Sequence, residues 1–160
     1  MKKNLIVSLL FAISSFQLWA ADSTAVSYSA KLQFAKQFPG IIASSWAPVK
    51  DYYVASFSLN GEKRNAYFSS DGEFVAESRE VYFSNLPITI QTSLANRFPQ
   101  KSGFAFVDID NENGLRVIEV NDRELGVYYV VKVKNQGTSL YVRASSSGEL
   151  VIQRKVKNKV

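Results

Sequence analysis

The sequence predicts an α+β protein built as a tandem repeat, each copy a helix on an antiparallel four-stranded β-meander, in two layers. Three observations lead there. Residues 52–75, YYVASFSLNGEKRNAYFSSDGEFV, and residues 128–151, YYVVKVKNQGTSLYVRASSSGELV, align without a gap at an offset of 76. The shared positions include Tyr52/Tyr128, Tyr53/Tyr129, Gly61/Gly137, Ser69/Ser145 and Gly72/Gly148, where a meander places rings and turns. Each copy follows a short apolar-periodic segment stopped by Phe-Pro, at Phe38-Pro39 and Phe98-Pro99.

The elements follow in chain order. MKKNLIVSLLFAISSFQLWAA opens with Lys2 and Lys3, continues with an apolar run from Leu5 to Phe16, and offers a cleavage site at Leu18-Trp19-Ala20. That is the layout of a secretory signal peptide, and the apolar run is shorter than the ~20 residues a spanning helix needs. The expected organisation is a signal peptide over 1–20, a first repeat over 21–82 and a second over 83–160, in a periplasmic or secreted protein. With no cysteine, the chain has no disulfide, no thiol nucleophile and no lipidated cysteine, so a lipoprotein is excluded. The formal charge of +5 falls to +3 once Lys2 and Lys3 leave, and the remaining excess is not segregated outside the RKVKNKV tail. Nucleic acid is therefore not an expected partner, and no stable membrane insertion is expected after signal cleavage.

In SYSAKLQFAKQFPG, the spacing of Tyr28, Leu32, Ala35 and Phe38 predicts a helix with that stripe inward, ended by Pro39-Gly40. NLPITIQTSLANRFPQ is its counterpart, with Pro87 at the first helical position and Ile90, Leu94 and Phe98 on the buried face. Strands are expected at 42–49, 52–59, 62–69 and 73–81, then at 104–110, 115–120, 126–134, 138–144 and 149–156. Asn60-Gly61 is a two-residue hairpin turn, because both positions favour positive φ. Asp71-Gly72, Asn113-Gly114, Gln136-Gly137 and Ser147-Gly148 mark further turns. The extra length of the second copy falls between Pro99 and Tyr128 and lengthens its first hairpin.

Period-two alternation then sorts the faces. Tyr53, Ala55, Phe57, Ala66, Phe68, Phe74 and Ala76 share one face in the first copy. Tyr129, Val131, Val133, Leu140, Val142, Ala144, Leu150 and Ile152 do so in the second, and both sets should lie under the helices. The opposite face, expected to be open to solvent, is the candidate binding surface. It carries Tyr52, Val54, Tyr67 and Val75 from the first copy. From the second come Tyr128, Val130, Lys132, Tyr141, Arg143 and Val151, with Lys134 alongside. Tyrosine and arginine anchor interfaces well, since each desolvates a large area and keeps a polar tip.

Catalytic chemistry is poorly supplied. There is no histidine, which removes the usual general base, the commonest metal ligand and every imidazole triad. DIDNENG, residues 108–114, lacks the distal glutamate of a calcium loop and fits a hairpin turn. The glycines stand singly at turns, so no loop cradles a phosphate. Trp46 is either a ligand-stacking ring or a plug at the core's edge. No catalytic residue, metal or cofactor is expected.

The pattern of Phe38-Pro39-Gly40, Trp46, Tyr53, Phe57, Asn60-Gly61, Ala66, Phe68 and Asp71-Gly72 resembles the PepSY-like family of bacterial secreted proteins. Phe98-Pro99, Tyr129, Gly137 and Ser147-Gly148 repeat it more loosely, without the tryptophan or the turn aspartate. The resemblance implies a fold like that of the beta-lactamase-inhibitor protein and a role in binding or restraining a peptidase or another cell-envelope protein. It brings no catalytic residue to carry over. The function expected is thus a non-catalytic binding module for a protein or peptide, used through the open sheet face. The alternative is a carboxylate-dependent hydrolase or a small-ligand-binding protein.

Overall fold

Turn chemistry sets nearly every strand boundary. The computed structural model describes residues 26–107 and 116–157. The signal peptide, the whole acidic DIDNENG stretch with its Asn113-Gly114 turn, and the end of the basic tail lie outside the described residues. In chain order come α1 (Tyr28–Gln37), β1 (Ser45–Val49), β2 (Tyr52–Leu59), β3 (Glu62–Ser69) and β4 (Phe74–Tyr82). Then follow α2 (Ile88–Arg97), β5 (Phe104–Val107), β6 (Arg116–Asp122), β7 (Gly126–Asn135), β8 (Thr138–Ser145) and β9 (Leu150–Lys157). Asn60 and Gly61 both take positive φ, 54° and 81°, as the tight β2–β3 turn requires.

The strands form one nine-stranded antiparallel sheet, ordered β1-β2-β3-β4-β6-β7-β8-β9, with β5 off that path and paired to β7. This corrects the expected tandem of four-stranded meanders. The stretch expected to form a longer first hairpin in the second copy instead supplies β5, which pairs β7, and β6, which lies between β4 and β7. A meander standing alone would leave the polar backbone of its last strand unpaired. Here β4 has β6 as its neighbour, and just past β6 the Arg123 amide donates to the Val75 carbonyl at 3.0 Å.

The chain divides into two compact units. The first runs to Arg79 and takes in Asp122–Glu124; the second comprises Glu80–Asn121 and the chain from Leu125 onward. In the first, the Ser27 hydroxyl caps α1 by accepting from the Ala30 amide at 3.1 Å. Its buried stripe is Ala30, Phe34 and Phe38, packed on Ala55, Phe57, Ala66 and Phe68 with Trp46, Tyr53 and Phe74 at the margin. Phe34 is the hub, its ring centroid 5.0 Å from Phe38, 5.3 Å from Phe57 and 5.6 Å from Trp46. The expected stripe of Tyr28, Leu32 and Ala35 is thereby overturned: Tyr28 is 80 % exposed and Leu32 44 %. A stripe at strict four-residue spacing, with four aromatic partners for Phe34, outweighs two solvent-facing apolar side chains.

In the second unit α2 buries Ile90, Leu94 and Phe98, with Leu86 just before it, against Val117, Tyr129, Val131, Val133, Leu140, Val142 and Ala144. Phe104 packs edge-on to Phe98, and Phe106 stacks on Phe83. Both helices meet a hairpin turn of the same construction. The Gly72 amide donates to the Ser69 carbonyl and the Gly148 amide to that of Ser145, each at 2.9 Å. The Ser69 and Ser145 hydroxyls accept from the amides of Glu73 and Glu149, each at 3.1 Å.

Two one-residue bulges break the alternation, at different places in the two copies. Between β3 and β4 the register passes from Tyr67↔Ala76 to Phe68↔Phe74, leaving Val75 as the extra residue. Between β8 and β9 it passes from Tyr141↔Arg154 to Val142↔Ile152, leaving Gln153 as the extra residue. Ala76, expected under the helix, therefore lies across from Tyr67 on the other face. Ile152 keeps its expected face opposite Val142 yet remains 45 % exposed.

Candidate functional site

In each unit the predicted binding residues lie on the sheet face turned away from that unit's helix, and the two faces differ in exposure. In the first unit Val54 sits opposite Tyr67 and Tyr52 opposite Ser69. Tyr52, Val54 and Tyr67 are all buried, and Val75 is half-buried at its bulge. The expectation that these residues form an open surface is corrected. A face built of two tyrosines, Val54 and Ala76 is too apolar to be left in water. The Tyr67 phenol is fully enclosed and bonds the Ser78 hydroxyl at 3.1 Å; desolvation pushes its pKa up to about 12, against a smaller lowering from that bond. Burial also raises the pKa of Tyr52, and the charges of Asp51 and Asp122 add to the effect.

The second unit differs. Tyr128 and Val130 are buried, whereas Lys132, Tyr141, Arg143 and Val151 are half-buried and reach solvent. β7 alternates so that Tyr129, Val131 and Val133 point to α2, leaving Tyr128, Val130, Lys132 and Lys134 on the other face. Pairing sets Val130, Arg143 and Val151 in one row across the strands and Lys132, Tyr141 and Arg154 in the next. Cations lie over rings along these rows. The Arg143 guanidinium is 5.8 Å from the Tyr128 centroid, Lys132 Nζ is 5.8 Å from the Tyr141 centroid, and the Arg154 guanidinium is 5.6 Å from it. Each contact is worth about 0.5–1 kcal/mol near a surface and holds a long side chain in one place.

Arg154 is the residue that sequence reasoning missed. Alternation from Leu150 and Ile152 sends it under the helix; the bulge at Gln153 brings it out beside Tyr141. Nothing local in QRK announces that bulge. A second feature was legible all along: β7, β8 and β9 carry Lys132, Lys134, Arg143, Arg154, Lys155 and Lys157 and not one Asp or Glu. Among the described residues Lys132, Lys134 and Arg143 form no ion pair.

The first unit's charges behave otherwise. Arg64 bonds Glu77 at 2.6 Å and Glu62 at 2.7 Å, and Arg79 bonds Glu62 at 3.0 Å. These bonds hold the Glu62 carboxyl below its usual range. The network neutralises itself and offers an incoming ion little. Trp46 packs edge-on to Phe34 and against Phe68, which makes it a core margin rather than a stacking platform. Among the described residues no three His, Cys, Asp or Glu side chains converge as a metal site would require.

No protein-family model matches the chain. No curated protein matches it either. Among solved structures it is similar to a DUF2874 family protein from Bacteroides uniformis, at 18% identity over 82% of this chain and 89% of that one, with a TM-score of 0.64. A protein from Bacteroides eggerthii, provisionally described as periplasmic, aligns at 19% identity over 82% and 88% of the two chains, with a TM-score of 0.63. A BLIP-like protein from Bacteroides fragilis aligns at 21% identity over 84% and 89%, also with a TM-score of 0.63. Among the described residues no helix is long and apolar enough to cross a membrane. At these identities the likeness is one of fold, and the fold is BLIP-like.

Proposed function

We propose that the chain is an exported, non-catalytic binding module of the PepSY-like kind, holding an acidic protein partner on the β7-β8-β9 face. One observation carries this reading: Lys132, Arg143 and Arg154 are fixed over Tyr128 and Tyr141 on strands that contain no carboxylate. Rings that desolvate area beside positioned cations are what a protein interface uses for anchors and for steering. A peptidase or another cell-envelope protein with an acidic surface is the partner class that fits. The likeness to a BLIP-like protein and to one provisionally placed in the periplasm supports the same reading.

The test is affinity capture from periplasmic extract at low and high salt, with wild type, Lys132→Glu/Arg143→Glu and Tyr141→Ala. The expected outcome is a partner held by wild type, released by salt and lost in both variants. Recovery of the same proteins by all three would refute the face as the working surface. Tyr67→Ala is unsuitable, because Tyr67 is enclosed and its loss would report on folding.

A further inference from the structure

We infer that the free edge of β9 is a docking edge for an extended acidic peptide, which adds to the sheet as a further antiparallel strand. The inference takes only the sign of the partner's charge from the binding-module reading. β9 ends the strand order, and among the described residues its sheet partner is β8. Its outward groups can be assigned. The Ser145 amide donates to the Glu149 carbonyl at 2.9 Å, which makes that pair hydrogen-bonded. By antiparallel alternation Arg143↔Val151 is the next such pair, and the amides of Leu150 and Ile152 point away from β8.

The two ends of the sheet order are unequal. β1 is five residues long and contains Pro48, which has no amide hydrogen to offer. β9 is eight residues long with no proline. Charge then selects the occupant. A second copy would bring Arg154, Lys155 and Lys157 against their own kind, and like charges across strands are destabilising. An acidic strand would place carboxylates beside those cations, with Lys132 and Arg143 behind them, while its backbone pairs with β9.

The probe is a blocked eight-residue peptide alternating valine and glutamate, compared with one alternating valine and lysine. Binding to the full chain is followed by fluorescence anisotropy and by amide shifts in a nitrogen-15 spectrum. The acidic peptide should bind and shift Leu150 and Ile152, and the lysine peptide should not bind. Ile152→Pro removes one outward amide and should weaken binding about tenfold, roughly the loss of one backbone bond plus ring clash. Ile152→Ala should change it less than about threefold, since the backbone contact survives. Should Ile152→Pro not fold, Arg154→Glu/Lys155→Glu gives an independent reading and should transfer preference to the lysine peptide. Binding that Tyr141→Ala abolishes and Ile152→Pro leaves intact would put the peptide on the face and overturn the edge, with the binding-module reading still standing. The reverse pattern supports the edge and removes the face. No binding of the acidic peptide at millimolar concentration overturns the inference, and the cations then serve only to blunt the edge.

Discussion

Replacing Gly72, Gly148 and Gly61 by alanine, one at a time, separates two costs that a turn glycine combines. All three have positive φ, at 90°, 87° and 81°, so each alanine carries a backbone penalty of about 1–2 kcal/mol. At Gly61 nothing lies within 4 Å of the added methyl, and the backbone penalty is the whole effect. At Gly148 the methyl would come within 2.9 Å of Ser93 Oγ, a hydroxyl that can rotate, and 3.4 Å of the Thr89 carbonyl. The expected total there is about 2–3 kcal/mol. At Gly72 it would meet Ser29 Cβ at 2.6 Å and the Ala30 amide nitrogen at 2.8 Å, so the first turn of α1 must move. That displaces the amide capped by Ser27, and the sum rises to about 3–5 kcal/mol. Urea unfolding followed by Trp46 fluorescence gives the three values. Ser93→Ala should recover most of the excess at Gly148→Ala. Ser29→Ala should recover little at Gly72→Ala, because the clash is with Cβ and backbone. Equal costs at Gly72 and Gly61 would refute the close approach of helix and turn.

Three further outcomes are expected. Phe34→Ala should cost about 3–5 kcal/mol in the same assay, whereas Leu32→Ala should cost under about 1, and parity between them would restore the stripe first expected for α1. Tyr67 should stay protonated until about pH 12, so its share of stability is intact below about pH 10 and is lost as pH rises toward 12. That share is about 2–3 kcal/mol, and phenolate absorbance showing every tyrosine titrating near pH 10 in the folded protein would contradict it. Glu77→Gln should cost about 1–3 kcal/mol by leaving Arg64, which is four-fifths shielded, with Glu62 as its remaining carboxylate; an unchanged urea midpoint would show the pair to be passive.

Much of the fold was legible because turn residues carry most of it. β2 and β3 fall where Asn60-Gly61 and Asp71-Gly72 require, and the helix ends follow from Pro39 and Pro99. The first helix was given the wrong face although the sequence held the correction. Ile90, Leu94 and Phe98 moved back by the 60-residue spacing of the two Phe-Pro stops land on Ala30, Phe34 and Phe38. Periodicity alone preferred Tyr28 and Leu32, because alanine adds little to an apolar count. The single sheet was harder to see, since edge pairing between distant strands uses backbone groups that every sequence has. The candidate face was half legible. Alternation put Tyr128, Val130, Lys132, Tyr141 and Arg143 together correctly, but burial of Tyr52 and Tyr67 depends on what covers a face, which period two does not encode. Arg154 and Val75 depended on bulges, and a bulge shows no residue preference strong enough to read here.

The unequal bulges also bear on how a chain containing two near-copies of itself avoids trading strands between them. If β9 occupied the place of β4, Leu150 would fit opposite Phe68 and the Ser-Gly turn would close as before. Two positions further on, Ile152 would oppose Ala66 where Glu77 belongs, and Arg64 would lose the carboxylate 2.6 Å from it. The mistake therefore starts well and fails within one turn of the pleat, before much surface is committed. Internal duplication normally invites such exchange, and an offset of two residues in a single extra amino acid acts as a proofreading key. A chimera carrying 150–157 in place of 74–81 should give a chain that collapses without a cooperative urea transition; a sharp transition of wild-type midpoint would show that the copies are interchangeable after all.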